Sequence, residues 1–97
     1  MWGVQPWLSP YADWLVRQDP RVRVTSTYRS YSEQWRLWVN RSTNPYPVAP
    51  PGQSYHEYGR AFDVVGPTDA LERLGAIWQQ MGGTWGGPIG DPIHFQA

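Results

Sequence analysis

The chain has no cysteine among its 97 residues. That excludes disulfide staples and thiolate metal sites, and it leaves the redox compartment open. It has no net charge either, because eight basic residues balance eight acidic ones. There is thus no basic field for nucleic acid and no polybasic patch for a membrane surface. Long apolar runs are also missing. The opening Met1-Trp2-Gly3-Val4-Gln5-Pro6 has neither the basic region of a signal peptide nor the length of a membrane anchor. On that basis an activity outside the cytoplasm needs another route of delivery. Histidine is scarce, with two in the chain. Rings are plentiful: seven tryptophans, six tyrosines and two phenylalanines. Large rings bury much area each, which helps a chain of single-domain length build a thin core.

Periodicity gives an α+β class, a small sheet with about three helices packed against it, in one domain spanning residues 1–97. The pattern predicts a helix over 7–19, with Ser9 as N-cap, Pro10 in the first turn and Tyr11, Trp14 and Leu15 on one apolar face. Asp19-Pro20 stops it. Residues 21–25 alternate polar and apolar, as a half-buried strand does. Ser30 and Glu33 have capping-box spacing before a second helix, which carries Tyr31, Trp35 and Trp38 to about residue 40. Residues 41–53, rich in Pro, Ser, Asn and Gly, read as a long irregular loop. A strand over 60–65 follows. Thr68 or Asp69 then caps a third helix with Leu71, Leu74, Trp78 and Met81 on one side. Gly82-Gly83 ends that helix. Thr84-Trp85 is a short strand, and residues 92–96 form the last one. The helical spacing of most tryptophans assigns them to the core. Trp2, Trp7 and Trp85 fit the helical faces least well.

Two histidines and one aspartate carry the chemistry. Side chains alternate along a strand, so Asp63 projects opposite to Phe62 and Val64, and His94 and Gln96 project opposite to Ile93 and Phe95. If these strands are neighbours, the apolar sets form the core and Asp63 and His94 emerge together on the other face. His56, just upstream, can reach the same point. Two imidazoles and one carboxylate with a fourth position open is the donor set of a catalytic zinc site. A single strand histidine is usually a hydrogen-bonded structural residue. An aspartate among apolar neighbours is harder to explain that way, because an unpaired buried carboxylate is costly. Asp91 sits in a turn flanked by Gly90 and Pro92, where it can act as general base. Arg29, at a strand-to-helix turn, is either a surface arginine or a cation for a substrate oxygen.

The pattern Ser54-x-His56-x-x-Gly59-x-Ala61-x-Asp63, followed by Asp91-x-x-His94, resembles the zinc D-Ala-D-Ala carboxypeptidase and L-alanyl-D-glutamate peptidase family. That family includes vancomycin-resistance carboxypeptidases and many phage endolysins. Tyr28-Arg29-Ser30 with Gln34 is similar to its Tyr-Arg-Ser segment. The resemblance implies a Hedgehog/D,D-peptidase-like fold, a small antiparallel sheet flanked by helices, with Zn2+ held by His56, Asp63 and His94. It implies Asp91 as base, Arg29 as the group that polarises the scissile carbonyl, and Ser54 as a substrate contact. It implies a peptidoglycan stem peptide as substrate and a zinc-activated water as nucleophile. The dipeptidase branch has glutamate at the base position; aspartate here looks more like the phage endopeptidase and carboxypeptidase branches. The short chain implies an open cleft. The expected setting is the cell wall, reached by a monomeric phage-encoded enzyme through lysis or from the virion. A non-catalytic, metal-stabilised wall-binding module is the alternative; it would need neither Asp91 nor Arg29.

Overall fold

A computed structural model describes residues 1–97. Three α-helices and a four-stranded antiparallel sheet build it, α1 (Ser9–Val16), β1 (Arg23–Ser26), α2 (Tyr31–Val39), β2 (Ala61–Val65), α3 (Thr68–Gln80), β3 (Thr84–Trp85) and β4 (His94–Gln96). The sheet order is β1-β2-β4-β3. Short 3-10 turns cover Arg41–Thr43, Tyr55–Tyr58 and Gly87–Ile89. The α+β class is the one expected from periodicity, and the antiparallel pairing is the one the resemblance implies. No helix is long and apolar enough to cross a membrane.

The core lies on one side of the sheet. Phe62 and Val64 of β2 and Phe95 of β4 are fully buried, against Leu8, Ala12 and Leu15 of the α1 region and Leu71, Leu74 and Trp78 of α3. Phe62 stacks on Phe95 with ring centroids 5.5 Å apart and meets Trp78 edge-on at 5.4 Å. Such pairs add about 0.5–1.5 kcal/mol each beyond area burial. This inward set is what strand alternation requires, and it leaves Asp63 and His94 to the opposite face.

Four helix details differ from expectation. Leu8, not Ser9, is the N-cap of α1, and the Ser9 hydroxyl is engaged with the Met1 amino group instead. The helix buries Ala12 and Leu15 and turns Tyr11 and Trp14 outward, so its inner stripe is rotated from the aromatic one. Neither Thr68 nor Asp69 caps α3; Pro67 occupies that position, and the Asp69 carboxylate pairs with Arg21 at 3.0 Å. In α2 the Ser30–Glu33 capping box forms as expected. Its aromatic stripe does not reach the core, however. Tyr31 and Trp35 are exposed, and the buried residue of α2 is Gln34. Of the seven tryptophans, Trp78 alone is fully buried. Core assignment by helical spacing fails for Trp14 and Trp35 because small and aliphatic side chains fill the thin interior first.

Trp85, which matched no helical face, has a structural job. Its ring packs where a Cβ on Gly75 would lie 2.2 Å away, and its indole N–H donates to the Pro92 carbonyl at 2.8 Å. It thereby props the turn that precedes β4.

Beyond α1, Asp19 is buried and tied to Arg21 by bonds of 3.0, 3.1 and 2.8 Å, with Arg73 at 3.6 Å. The side-chain bond to Arg21 is the main reason its pKa falls from 3.8 to about 2. A carboxylate whose folded pKa is depressed stabilises fully above its unfolded pKa and loses that contribution as pH falls through its folded pKa. Wild-type stability should therefore drop between pH 3.8 and about 2. Asp19→Asn should melt lower at pH 7, by on the order of 10 °C, and should show a shallower loss over that acid window. Thermal melts followed by circular dichroism across pH 2–7 would check it.

Candidate metal centre

Each site residue is placed by a local feature of the chain. Asp63 lies in the middle of β2, opposite His94 of β4 on one side and Ser26 of β1 on the other. The β1–β2 register shifts between Val24 and Ser26. This bulge re-aims the end of β1 and leads it into Thr27 and Arg29 at the site. His56 sits in the 3-10 turn Tyr55–Tyr58 rather than in open loop. Ser54 caps that turn, its hydroxyl accepting from the His56 N–H at 3.3 Å, and the Glu57 carboxylate accepts from the Ser54 N–H at 3.1 Å. Gly59 closes the turn at φ 65°, in the left-handed region, and its carbonyl accepts from Gln5 N–H at 2.8 Å.

Asp91 and His94 share one tight turn. The His94 N–H donates to the Asp91 carbonyl at 3.1 Å, the Asp91 N–H to Gly86 at 2.9 Å, and the Gly86 N–H to His94 at 2.8 Å. A Cβ at position 86 would stand 2.3 Å from the Asp91 carbonyl oxygen. Glycine is therefore what allows this closure.

His56, Asp63 and His94 converge, their candidate ligand atoms all within 4.8 Å of one another. His56 Nε2 is 3.1 Å from Asp63 Oδ1, and His94 Nδ1 is 3.4 Å from the same oxygen. Ligands about 2.0–2.1 Å from a tetrahedral zinc stand roughly 3.3 Å apart, so both separations match a tetrahedron's edge. Proton placement points the same way. His56 Nδ1 lies 2.6 Å from the Thr27 carbonyl, which can only accept, so Nδ1 carries a proton. His94 Nε2 lies 2.7 Å from Gln96 Oε1 and is protonated on the same grounds. The other two ring nitrogens present lone pairs to a carboxylate. Three lone pairs aimed at one point need a cation or a proton between them, and the donor set fits zinc.

Electrostatics agree with that placement. Burial, the largest single influence on Asp63, pushes its pKa up; protons on the facing nitrogens of His56 and His94, standing in for the cation, donate to it and together hold it far below the ordinary carboxylate range. Burial likewise opposes charge on His94, and bonds to Asp63 and Gln96 outweigh it, raising its pKa. Asp91 is raised, chiefly by burial.

Arg29 also reaches the centre. Its guanidinium donates to Asp63 Oδ2 at 3.3 Å, to Ser26 Oγ at 3.1 Å and to Gln34 Oε1 at 3.0 Å. It is thus no free surface arginine. It holds the second oxygen of Asp63 and leaves Oδ1 for the histidine side. Gln34 in turn donates to the Ala49 carbonyl at 2.8 Å, bridging Arg29 to the Pro-rich loop. Residue type alone gives Gln34 no role; a lone buried amide on an otherwise exposed helix is the structural signal.

A cleft of about 440 Å³ opens over these groups. Arg29, Ser54, His56, Asp63, Asp91 and His94 all line it. One wall is the loop around Tyr46, Val48 and Ala49, so part of the long irregular stretch encloses the site. At the rim Ile89 is largely exposed, and the cleft stays reachable from solvent.

The crystal structure of a point variant of the vancomycin-resistance D,D-pentapeptidase VanY from a VanB-type cassette, in complex with Zn(II), is similar at 20% identity and a TM-score of 0.73, covering 96% of this chain and 71% of that one. The L-Ala D-Glu endopeptidase ChiX of Serratia marcescens is similar at 24% identity and a TM-score of 0.70, covering 97% and 80%. At these identities the likeness is one of fold. No curated protein sequence gives a significant match. The family model for VanY, D-alanyl-D-alanine carboxypeptidase, matches residues 11–84 and so takes in Arg29, His56 and Asp63 but ends before Asp91 and His94. With most of its length matched and the fold shared to its last strand, the chain belongs to the VanY family of D-alanyl-D-alanine carboxypeptidases.

Proposed function

We propose that residues 1–97 form one zinc-dependent peptidase domain that hydrolyses a peptide bond in peptidoglycan stem peptides. The observation that carries it is the convergence of two imidazole nitrogens and one carboxylate oxygen within 4.8 Å of one another, each nitrogen near tetrahedral spacing from that oxygen, in a cleft that also holds a half-buried carboxylate and an arginine. Family membership and the Zn(II) in the similar VanY structure support it.

In this proposal His56 Nε2, Asp63 Oδ1 and His94 Nδ1 hold the ion. When bound, zinc supplies a Lewis acid and lowers the pKa of a water toward about 7. Asp91 would accept the proton of the attacking water and return it to the departing amine. In the metal-free protein its pKa is raised, chiefly by burial. Arg29 is the one cationic side chain other than histidine lining the cleft, and it places positive charge where the scissile carbonyl gains negative charge. Ser54, whose hydroxyl accepts from His56 N–H, keeps its own proton to donate to substrate backbone. The setting we extend to it, from the resemblance to endolysin peptidases, is that of a monomeric phage-encoded enzyme released by lysis or carried on the virion.

Mass spectrometry of purified cell walls and soluble muropeptides, digested with the zinc-loaded protein, tests the proposal. Loss of a terminal D-alanine identifies a D,D-carboxypeptidase. New ends at L-Ala and D-Glu identify an endopeptidase. Wall binding without any new amino group would overturn the catalytic proposal in favour of a binding module.

A further inference from the structure

We propose that Gln96 is a positioning residue that fixes which nitrogen His94 offers to the metal. The inference rests on the zinc site proposed above. Gln96 lies two residues beyond His94 on β4, hence on the same face of the strand. Its main chain is held on three sides. It pairs with Ala61 of β2 and Thr84 of β3, and its carbonyl accepts from the Trp78 indole at 2.9 Å. The side chain therefore starts from a fixed point, and Oε1 reaches His94 Nε2 at 2.7 Å.

An amide oxygen accepts and does not donate. The bond therefore requires the proton on Nε2 and leaves Nδ1 as a lone pair toward Asp63, 3.4 Å away. His56 is held the opposite way, since Thr27 takes the Nδ1 proton and Nε2 faces the centre. The two rings stand 5.2 Å apart at 66° and so present unlike nitrogens to one point. Without an acceptor at position 96, His94 can carry its proton on Nδ1, where it points into the centre and blocks ligation. The ring can also turn about its outer bond. Outer partners of ligating histidines act in this way generally, and their loss weakens metal binding about 10–100-fold.

Gln96→Leu removes the acceptor at similar volume; Gln96→Glu keeps one. Zinc dissociation constants are measured by competition with a chromogenic chelator at pH 7.5, with circular dichroism of each metal-free variant as the folding control. Gln96→Leu should bind zinc about 10–100-fold more weakly, while Gln96→Glu should match or exceed wild type. Long-range 1H–15N spectra of the zinc-loaded wild type should show a protonated Nε2 on His94 and a protonated Nδ1 on His56. Unchanged affinity in a folded Gln96→Leu variant overturns the inference, as does a His94 protonated on Nδ1. A wild type that binds no zinc overturns the metal site itself, and with it this role. If the leucine variant does not fold, the wild-type spectrum decides alone.

Discussion

Asp91→Asn should leave zinc in place and reduce turnover by roughly a hundred- to ten-thousand-fold, the span a positioned general base contributes. The side chain lines the cleft beside the three candidate ligands but is not among them, so its loss need not release the ion. Asparagine keeps the volume and cannot take a proton. The carboxyl and its raised pKa add two consequences with defined signs. First, kcat/KM of the zinc-loaded wild type should fall along an acidic limb that the asparagine variant lacks, since the base must be ionised to act. Second, a carboxyl whose folded pKa is raised favours the folded state only while protonated, and that contribution is lost as pH rises through the folded pKa. At neutral pH the ionised Asp91 therefore strains the metal-free protein, and the asparagine variant should melt slightly higher there, with the difference vanishing in acid. Bound-zinc stoichiometry, pH–rate profiles and metal-free melts give the three readouts. Turnover that survives the substitution would place the base elsewhere.

His94→Ala should empty the site and reduce hydrolysis to background. Removing this side chain takes away one of three donors and leaves Asp63 with His56 and Arg29 as partners. A site with two remaining donors does not compete with solvent for zinc at neutral pH. The backbone of β4 should persist, because Phe95 beside it is fully buried against Phe62. Metal content after dialysis, paired with a muropeptide assay, checks both halves. Hydrolysis retained without bound metal would sink the zinc assignment.

Much of the site was legible because strands translate sequence into direction simply. A period of two assigned Asp63 and His94 to the face away from Phe62 and Phe95, and the β2–β4 register bears that out. Gln96 fell on the same face by the same rule. The helices were harder, since a face is chosen by what the helix meets. Of the expected face Leu15 is buried, but Tyr11 and Trp14 had the right spacing and the wrong neighbours, and Leu8 and Ala12 filled the interior instead. The 3-10 turn at His56 could have been anticipated, because Ser54 and Glu57 have the spacing of a capping box. What residue types could not disclose was main-chain work. The Thr27 carbonyl orients His56 and the Ala49 carbonyl holds Gln34, and neither leaves a mark in side-chain identity.

Helix α2 buries one residue, Gln34, whereas α3 buries five. Segments with little burial open by local unfolding well before the whole domain does. Yet Gln34 is the group that grips Arg29 and the wall of the cleft. The arginine is thus leashed to the most weakly anchored helix of the molecule, while the histidines and Asp63 hang on the sheet and its flanking turns. Competence and foldedness then have separate thresholds. If Arg29 acts as proposed, mild heat or denaturant should loosen its grip on Gln34 before the sheet opens, and activity should be lost before the sheet is.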